Sequence, residues 1–132
     1  MARSSGPFTR KAVVDWALVG LVAFVMIGGG AAHLAAPQAF APLVPPVLPA
    51  TPVILGAGVV QFLIGLVALW PRTRAWGGLA FALLCAAYLP LHLWDYVRPD
   101  PVFAPPVATT LRVVVQGLFI WAGIVLWRRG RR

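Results

Sequence analysis

Six polar side chains lie inside or beside strongly apolar stretches of this sequence and could bind or orient a small molecule: His33, Gln61, His92, Asp95, Arg112 and Gln116. Asp95 follows His92 by three residues, a spacing at which a carboxylate can hold the imidazole in one tautomer and raise its basicity. Gln116 follows Arg112 by four residues, so both lie on one helix face. Because arginine is rarely deprotonated and needs an anion when buried, we expect Arg112 to pair with Asp95.

Each of these residues also has a structural interpretation, and the sequence leaves both interpretations open. A histidine near a helix end, such as His33, is often bonded to a backbone carbonyl. An amide inside a membrane helix, such as Gln61, commonly joins two helices. Buried charges are usually paired whether or not they act on a ligand.

Patterns typical of catalytic and metal sites are missing, so we predict no catalytic residue and no metal site. Two histidines and one carboxylate match a facial triad in number, but none has the close spacing of a metal motif. Cys85 is the single cysteine, which excludes an internal disulfide, and its mid-membrane position disfavours a thiolate. The sequence has no GxSxG, P-loop or GxGxxG motif. The chain itself is therefore expected to carry no cofactor.

The composition indicates a membrane protein rather than a soluble enzyme or a disordered chain. Of the 132 residues, 61% are hydrophobic and 11% are charged, and the mean hydropathy is +0.87. Soluble proteins carry roughly 25% charged residues. A net charge of +8 would suggest nucleic acid in a soluble chain. Here the basic residues flank apolar segments, so we expect the lipid bilayer as partner and no nucleic acid.

Four continuous apolar segments are long enough to cross a bilayer as helices, at about residues 12–36, 52–70, 75–94 and 108–127. They lack the alternation of membrane strands. The sequence predicts an all-α fold, a single membrane domain over residues 1–132 with four transmembrane helices in a bundle. A proline-rich outer loop joins helices 1 and 2, because residues 37–52 hold six of the 13 prolines and cannot continue a helix.

The distribution of basic residues predicts the orientation. Threading four helices places nine of the 11 basic residues on one side: Arg3, Arg10, Lys11, Arg72, Arg74, Arg128, Arg129, Arg131 and Arg132. We therefore expect a multi-pass protein of the plasma membrane with both termini in the cytoplasm. The first span is longer than the apolar run of a signal peptide, so we interpret it as a retained helix.

This threading brings the six polar residues together although four different helices carry them. Five lie in the outer half of the membrane and Gln61 lies near the middle. We expect them to surround one polar pocket, covered by the proline-rich loop. On the cytoplasmic side, Asp15 is expected to pair with Arg72, Arg74 or Arg128.

Four sequence segments resemble the DoxX-like family of small membrane proteins. They are GGGAAHLAAPQAFAPLVPPVLP (28–49), GAGVVQFLIGLVALWPRTR (56–74), LPLHLW (89–94) and LRVVVQGLFIW (111–121). Members often have Glu in place of Gln61 and Asn in place of His92, so this chain departs from the family at both positions. The resemblance implies a four-helix integral membrane protein, a redox association in some relatives and quinone-linked oxidation of sulfur compounds in one branch. Other relatives resemble assembly partners of larger membrane proteins.

Two functions are compatible with these observations, and neither assigns a reaction. In the first, the protein is a redox-associated accessory subunit whose pocket binds a quinone or a lipid. Arg112, His33 or His92 would donate to the ligand, the two glutamines would orient it, and Asp95 would hold His92 or Arg112. In the second, it is a non-catalytic scaffold that docks another membrane protein or a second copy of itself. A transporter is a weaker third interpretation, because the chain shows no inverted repeat.

Overall fold

The computed structural model describes residues 9–132, which form four long helices and one short one. The long helices are α1 (Arg10–Ala35), α2 (Ala50–Leu69), α3 (Arg74–Trp94) and α4 (Val107–Gly130). A 3-10 helix, Pro37–Leu43, lies between α1 and α2, and we call it the cap helix. No strand occurs among the described residues. Arg3 and the rest of residues 1–8 lie outside them.

Each of the helices α1 to α4 has the length and the apolar composition needed to cross a membrane. The chain is therefore a multi-pass membrane protein with an all-α, four-helix bundle fold, as the sequence predicts. We call the end of the bundle with the cap helix and residues 95–106 the loop end. The opposite end, with Thr9, the turn at residues 70–73 and Arg132, is the terminal end.

The helix boundaries differ from the predicted ones by up to three residues, for local reasons. The helix α1 begins earlier than expected because the Thr9 side chain accepts a hydrogen bond from the Ala12 amide and caps it. The helix α4 extends past residue 127 because Arg128 and Arg129 in its last turn interact favourably with the helix dipole.

The expectation that residues 37–52 contain no helix is wrong at both ends of the segment. Pro37 begins the cap helix, where a missing amide hydrogen removes no internal hydrogen bond. The helix α2 begins at Ala50, so that Pro52 lies in its first turn.

Helices α1 and α2 form one hairpin, α3 and α4 form another, and glycines let the helices of each hairpin touch backbone to backbone. A methyl group at Gly30 of α1 would lie 2.7 Å from the Gly58 carbonyl oxygen of α2. A methyl group at Gly78 of α3 would lie 2.9 Å from the Gly123 carbonyl oxygen of α4. Small residues at such crossings permit close packing where the hydrophobic effect contributes little.

The two hairpins join through a core in the terminal half of the bundle. Its largest fully buried side chains include Phe81, Leu126, Val19 and Val22. The helix α1 makes few contacts with α3 and α4. The hairpins therefore meet closely in the terminal half and leave space between them toward the loop end.

Asp15 at the terminal end pairs with Arg129, and the predicted partners Arg72, Arg74 and Arg128 are wrong. Arg129 faces α1, where it also donates a hydrogen bond of 3.2 Å to the Lys11 carbonyl oxygen. The Arg74 guanidinium instead lies 4.9 Å from the centre of the Trp16 ring.

We expect Gly30→Ala to lower the free energy of unfolding by about 1–3 kcal/mol, because the new methyl group must push α1 away from α2. Gly28→Ala is the matched control, since a methyl group there meets no atom within 4 Å. The control is expected to be neutral or slightly stabilising, as alanine favours the helix. Denaturant titration of both purified variants measures the effects, and equal effects would contradict the close-packing interpretation.

Candidate functional site

A cavity of about 280 Å³ occupies the loop half of the bundle, between the two hairpins and beneath the cap helix. All four long helices and the cap helix contribute to its walls. Five of the six residues singled out in the sequence line it: His33, Gln61, His92, Arg112 and Gln116. Asp95 lies outside the cavity and contacts it through Arg112.

Most of the cavity wall is apolar. Val25, Met26 and Phe119 are among its apolar residues, and Ile54 lines it from α2. Its volume is near the lower limit of the roughly 300–1,000 Å³ typical of ligand pockets. A mostly apolar cavity with a few polar groups is the usual form of a small-molecule site.

The predicted ion pair between Arg112 and Asp95 is present. The Arg112 Nη1 donates to Asp95 Oδ2 at 3.1 Å, and the Asp95 side chain is only 2% exposed. The other carboxylate oxygen accepts the Val102 amide at 3.1 Å and lies 3.6 Å from Arg98 Nη1. Two guanidinium groups thus share one buried carboxylate, which leaves this cluster with a net positive charge.

Of the two partners considered for Asp95, the structure shows Arg112 and not His92, because Arg112, Arg98 and the Val102 amide occupy both oxygens of the carboxylate. His92 is 8% exposed, and its Nδ1 is buried without a hydrogen-bond partner among residues 9–132. A buried polar atom without a protein partner is uncommon, and it often marks a position where a water, an ion or a ligand binds.

The two glutamines bind across helices. Gln61 Nε2 donates to the Tyr88 hydroxyl oxygen at 3.1 Å, which joins α2 to α3. Gln116 Nε2 donates to the Cys85 carbonyl oxygen at 2.7 Å, which joins α4 to α3. Each amide therefore has a structural role, with its NH₂ group bonded to protein.

His33 is held in one orientation by α1 and the cap helix. Its Nδ1 donates to the Gly29 carbonyl oxygen at 2.7 Å, as expected for a histidine near a helix end. Its ring stacks on Phe40 of the cap helix with centroids 4.0 Å apart. Because Nδ1 carries the hydrogen, the Nε2 atom of the neutral ring is an acceptor.

The cap helix closes the loop end of the cavity, with Phe40, Leu43 and Val44 in the wall. Arg98 Nη1 donates to the Pro42 carbonyl oxygen at 3.0 Å and so ties this segment to the loop after α3. The Arg98 guanidinium also lies 4.3 Å from the centre of the Trp94 ring. The cover of the cavity is thus linked to Asp95 through Arg98.

Tyr88 and Phe40 also line the cavity, although neither was among the six candidates. Tyr88 lies four residues before His92 on the same helix face, which was a usable signal. No comparable signal marks Phe40, because its position depends on how the proline-rich segment folds back. Within residues 9–132, no group of three or more His, Cys, Asp or Glu side chains could hold a metal ion.

We expect Asp95→Asn to lower the free energy of unfolding by about 3 kcal/mol, because it removes the buried carboxylate and leaves the half-buried Arg112 without its anion. Asp15→Asn is the matched control at the terminal end, where the Asp15 side chain is 23% exposed and Arg129 is 28% exposed. The Asp15→Asn substitution should lower the free energy of unfolding by less than about 1 kcal/mol. Denaturant titration compares the two variants, and an equally small loss in both would show that the Asp95 pair is not buried as described.

Comparison with known proteins gives the family of the chain but no activity. No curated protein and no solved structure shows a significant match. A family model described as "Domain of unknown function (DUF8561)" matches residues 7–126. Because this match covers most of the chain, the protein belongs to the DUF8561 family.

Proposed function

We propose that this protein binds a small apolar molecule with hydrogen-bond-accepting oxygens, of the quinone class, in the cavity between its hairpins. The observation that carries the proposal is that Arg112, whose guanidinium pairs with Asp95, lines the cavity. Arginine has five N–H donors, and among residues 9–132 the one side-chain acceptor bonded to Arg112 is Asp95. The remaining donors can bind oxygen atoms of a ligand.

The composition of the walls supports a ligand that is mainly apolar. Arg112 and His92 provide polar groups toward the loop end, while Val25, Met26 and Phe119 are apolar. A volume of about 280 Å³ suits one substituted ring. A longer alkyl tail would have to leave the cavity toward the surrounding lipid.

In this role the protein is an accessory subunit of a redox system. The quinone is the redox group, and a partner membrane protein exchanges electrons with it. The DoxX-like resemblance of the sequence supports this association. Cys85 is the single cysteine, so the chain has no dithiol of its own.

A scaffold function is the second candidate, and the hydrogen bonds of the glutamines favour it. Gln61 and Gln116 both donate across helices. Such contacts stabilise membrane proteins by about 0.6 kcal/mol each. In this alternative the polar residues only hold the helices together, and the protein docks a membrane partner or a second copy of itself.

We further propose that the protein lies in the plasma membrane with its terminal end facing the cytoplasm. Eight basic residues of the described chain flank the helices at that end: Arg10, Lys11, Arg72, Arg74, Arg128, Arg129, Arg131 and Arg132. Among residues 9–132, only Arg98 and Arg112 lie toward the loop end. The cavity then opens in the outer half of the bilayer.

Arg112→Gln is expected to weaken binding of a short-tailed 1,4-benzoquinone by about 10- to 100-fold, because a hydrogen bond from a charged donor is lost. Titration calorimetry of the detergent-purified protein measures the affinity. Arg129→Gln, on the same helix but at the terminal end, is the matched control and should bind like the wild type.

Two results would contradict the quinone-binding proposal. One is equal affinity of Arg112→Gln and the wild type. The other is a wild type that binds no quinone while Arg112→Gln only lowers the melting temperature, which is the result that the scaffold function predicts.

The proposed orientation predicts the behaviour of C-terminal fusions. Alkaline phosphatase fused after Arg132 should be inactive, and green fluorescent protein fused there should fluoresce, because each reporter works on one side of a bacterial inner membrane. Active phosphatase and a dark fluorescent protein would place the terminal end outside the cytoplasm.

A further inference from the structure

Tyr88 lines the same cavity as Arg112 and carries a second hydrogen-bond donor, its hydroxyl group. Within residues 9–132, its one side-chain hydrogen bond is the one it accepts from Gln61 Nε2 at 3.1 Å. Its own hydrogen is therefore free for another acceptor. Tyr88 lines the cavity, so that acceptor can be a ligand.

The position of the Gln61 amide supports this assignment of donor and acceptor. The Gln61 carbonyl oxygen packs against Gly29, so closely that a methyl group on Gly29 would lie 2.7 Å from it. An oxygen can accept a weak hydrogen bond from a glycine Cα–H group, which an amide NH₂ group cannot do. The amide NH₂ group consequently faces Tyr88, and the phenol accepts.

The residue spacing along α3 is compatible with one ring that contacts both donors. Arg112 is bonded to Asp95, which follows α3, and Tyr88 lies two helical turns before Asp95 on the same chain segment. Two turns correspond to about 10 Å along the helix axis. A six-membered ring with oxygens at opposite positions measures about 5 Å from oxygen to oxygen. A hydrogen bond adds about 3 Å at each end, for a total of about 11 Å.

We infer that Tyr88 is a specificity-determining residue that, together with Arg112, selects a ring with oxygens at opposite positions, a 1,4-dione, over a ring with one oxygen. This inference rests on the proposed function, because it names the ligand class that the same cavity prefers. His92 follows Tyr88 by one helical turn and also lines the cavity. A ligand with one oxygen can satisfy Arg112 but leaves the Tyr88 hydroxyl without an acceptor.

The test compares 2-decyl-1,4-benzoquinone with a decyl cyclohexenone, which keeps a single carbonyl and one ring double bond. The wild type should bind the quinone about five- to tenfold more tightly, the effect of about one hydrogen bond. Tyr88→Phe should abolish this preference by weakening the binding of the quinone and not that of the cyclohexenone. Tyr96→Phe alters the chain's other tyrosine, whose hydroxyl is bonded to Thr110, and should leave the preference unchanged.

The outcomes separate this inference from the proposed function. Tyr88→Phe could weaken the binding of both probes equally, or of neither. In either case the wild type still binds the quinone, but Tyr88 does not select it, and the inference is overturned. If the wild type binds neither probe, the proposed function fails and the inference fails with it. If the Tyr88→Phe variant keeps the wild-type preference for the quinone, the inference is overturned and the proposed function stands.

A second measurement needs no variant and does not depend on whether Tyr88→Phe folds. Infrared spectra of the quinone bound to the wild type should show both carbonyl bands shifted to lower wavenumber, because both oxygens accept hydrogen bonds. One shifted and one unshifted band would overturn two-point binding.

Discussion

A guanidinium inside a membrane protein needs an anion, and Asp95 provides that anion for Arg112. The same carboxylate accepts the Val102 amide and lies beside Arg98, which in turn bonds the Pro42 carbonyl oxygen of the cap helix. One buried carboxylate therefore connects α3, α4, the loop after α3 and the cover of the cavity. Removing water from a charge is expensive, so this cluster determines how the loop end of the bundle is arranged.

The cavity results from the difference between packing within and packing between the hairpins. Gly30 with Gly58, and Gly78 with Gly123, bring the helices of each hairpin into backbone contact. Between the hairpins, the core fills the terminal half of the bundle and ends at Met26 and Cys85, which also line the cavity. The loop half retains space, and its walls carry the polar groups that a ligand could use. The apolar core and the cavity thus lie in different parts of the same four helices.

The sequence predicted the fold and the Arg112–Asp95 pair because strong, local constraints determine both. Apolar length defines a membrane helix, and a buried arginine has few carboxylates to choose from. It did not predict that Asp15 pairs with Arg129, since that choice depends on how each helix is rotated. Helices that are apolar on all sides carry little information about rotation. The position of Phe40 was equally hidden, because it follows from the fold of a proline-rich segment.

Native mass spectrometry of the protein extracted gently from its own membrane tests most directly whether the cavity is a binding site. We expect part of the wild-type protein to carry one small apolar molecule. In Ala57→Phe, which places a ring in the cavity wall, the protein should remain folded and lose that molecule. A wild type that shows only its own mass, or a molecule retained equally in Ala57→Phe, would contradict ligand binding in this cavity.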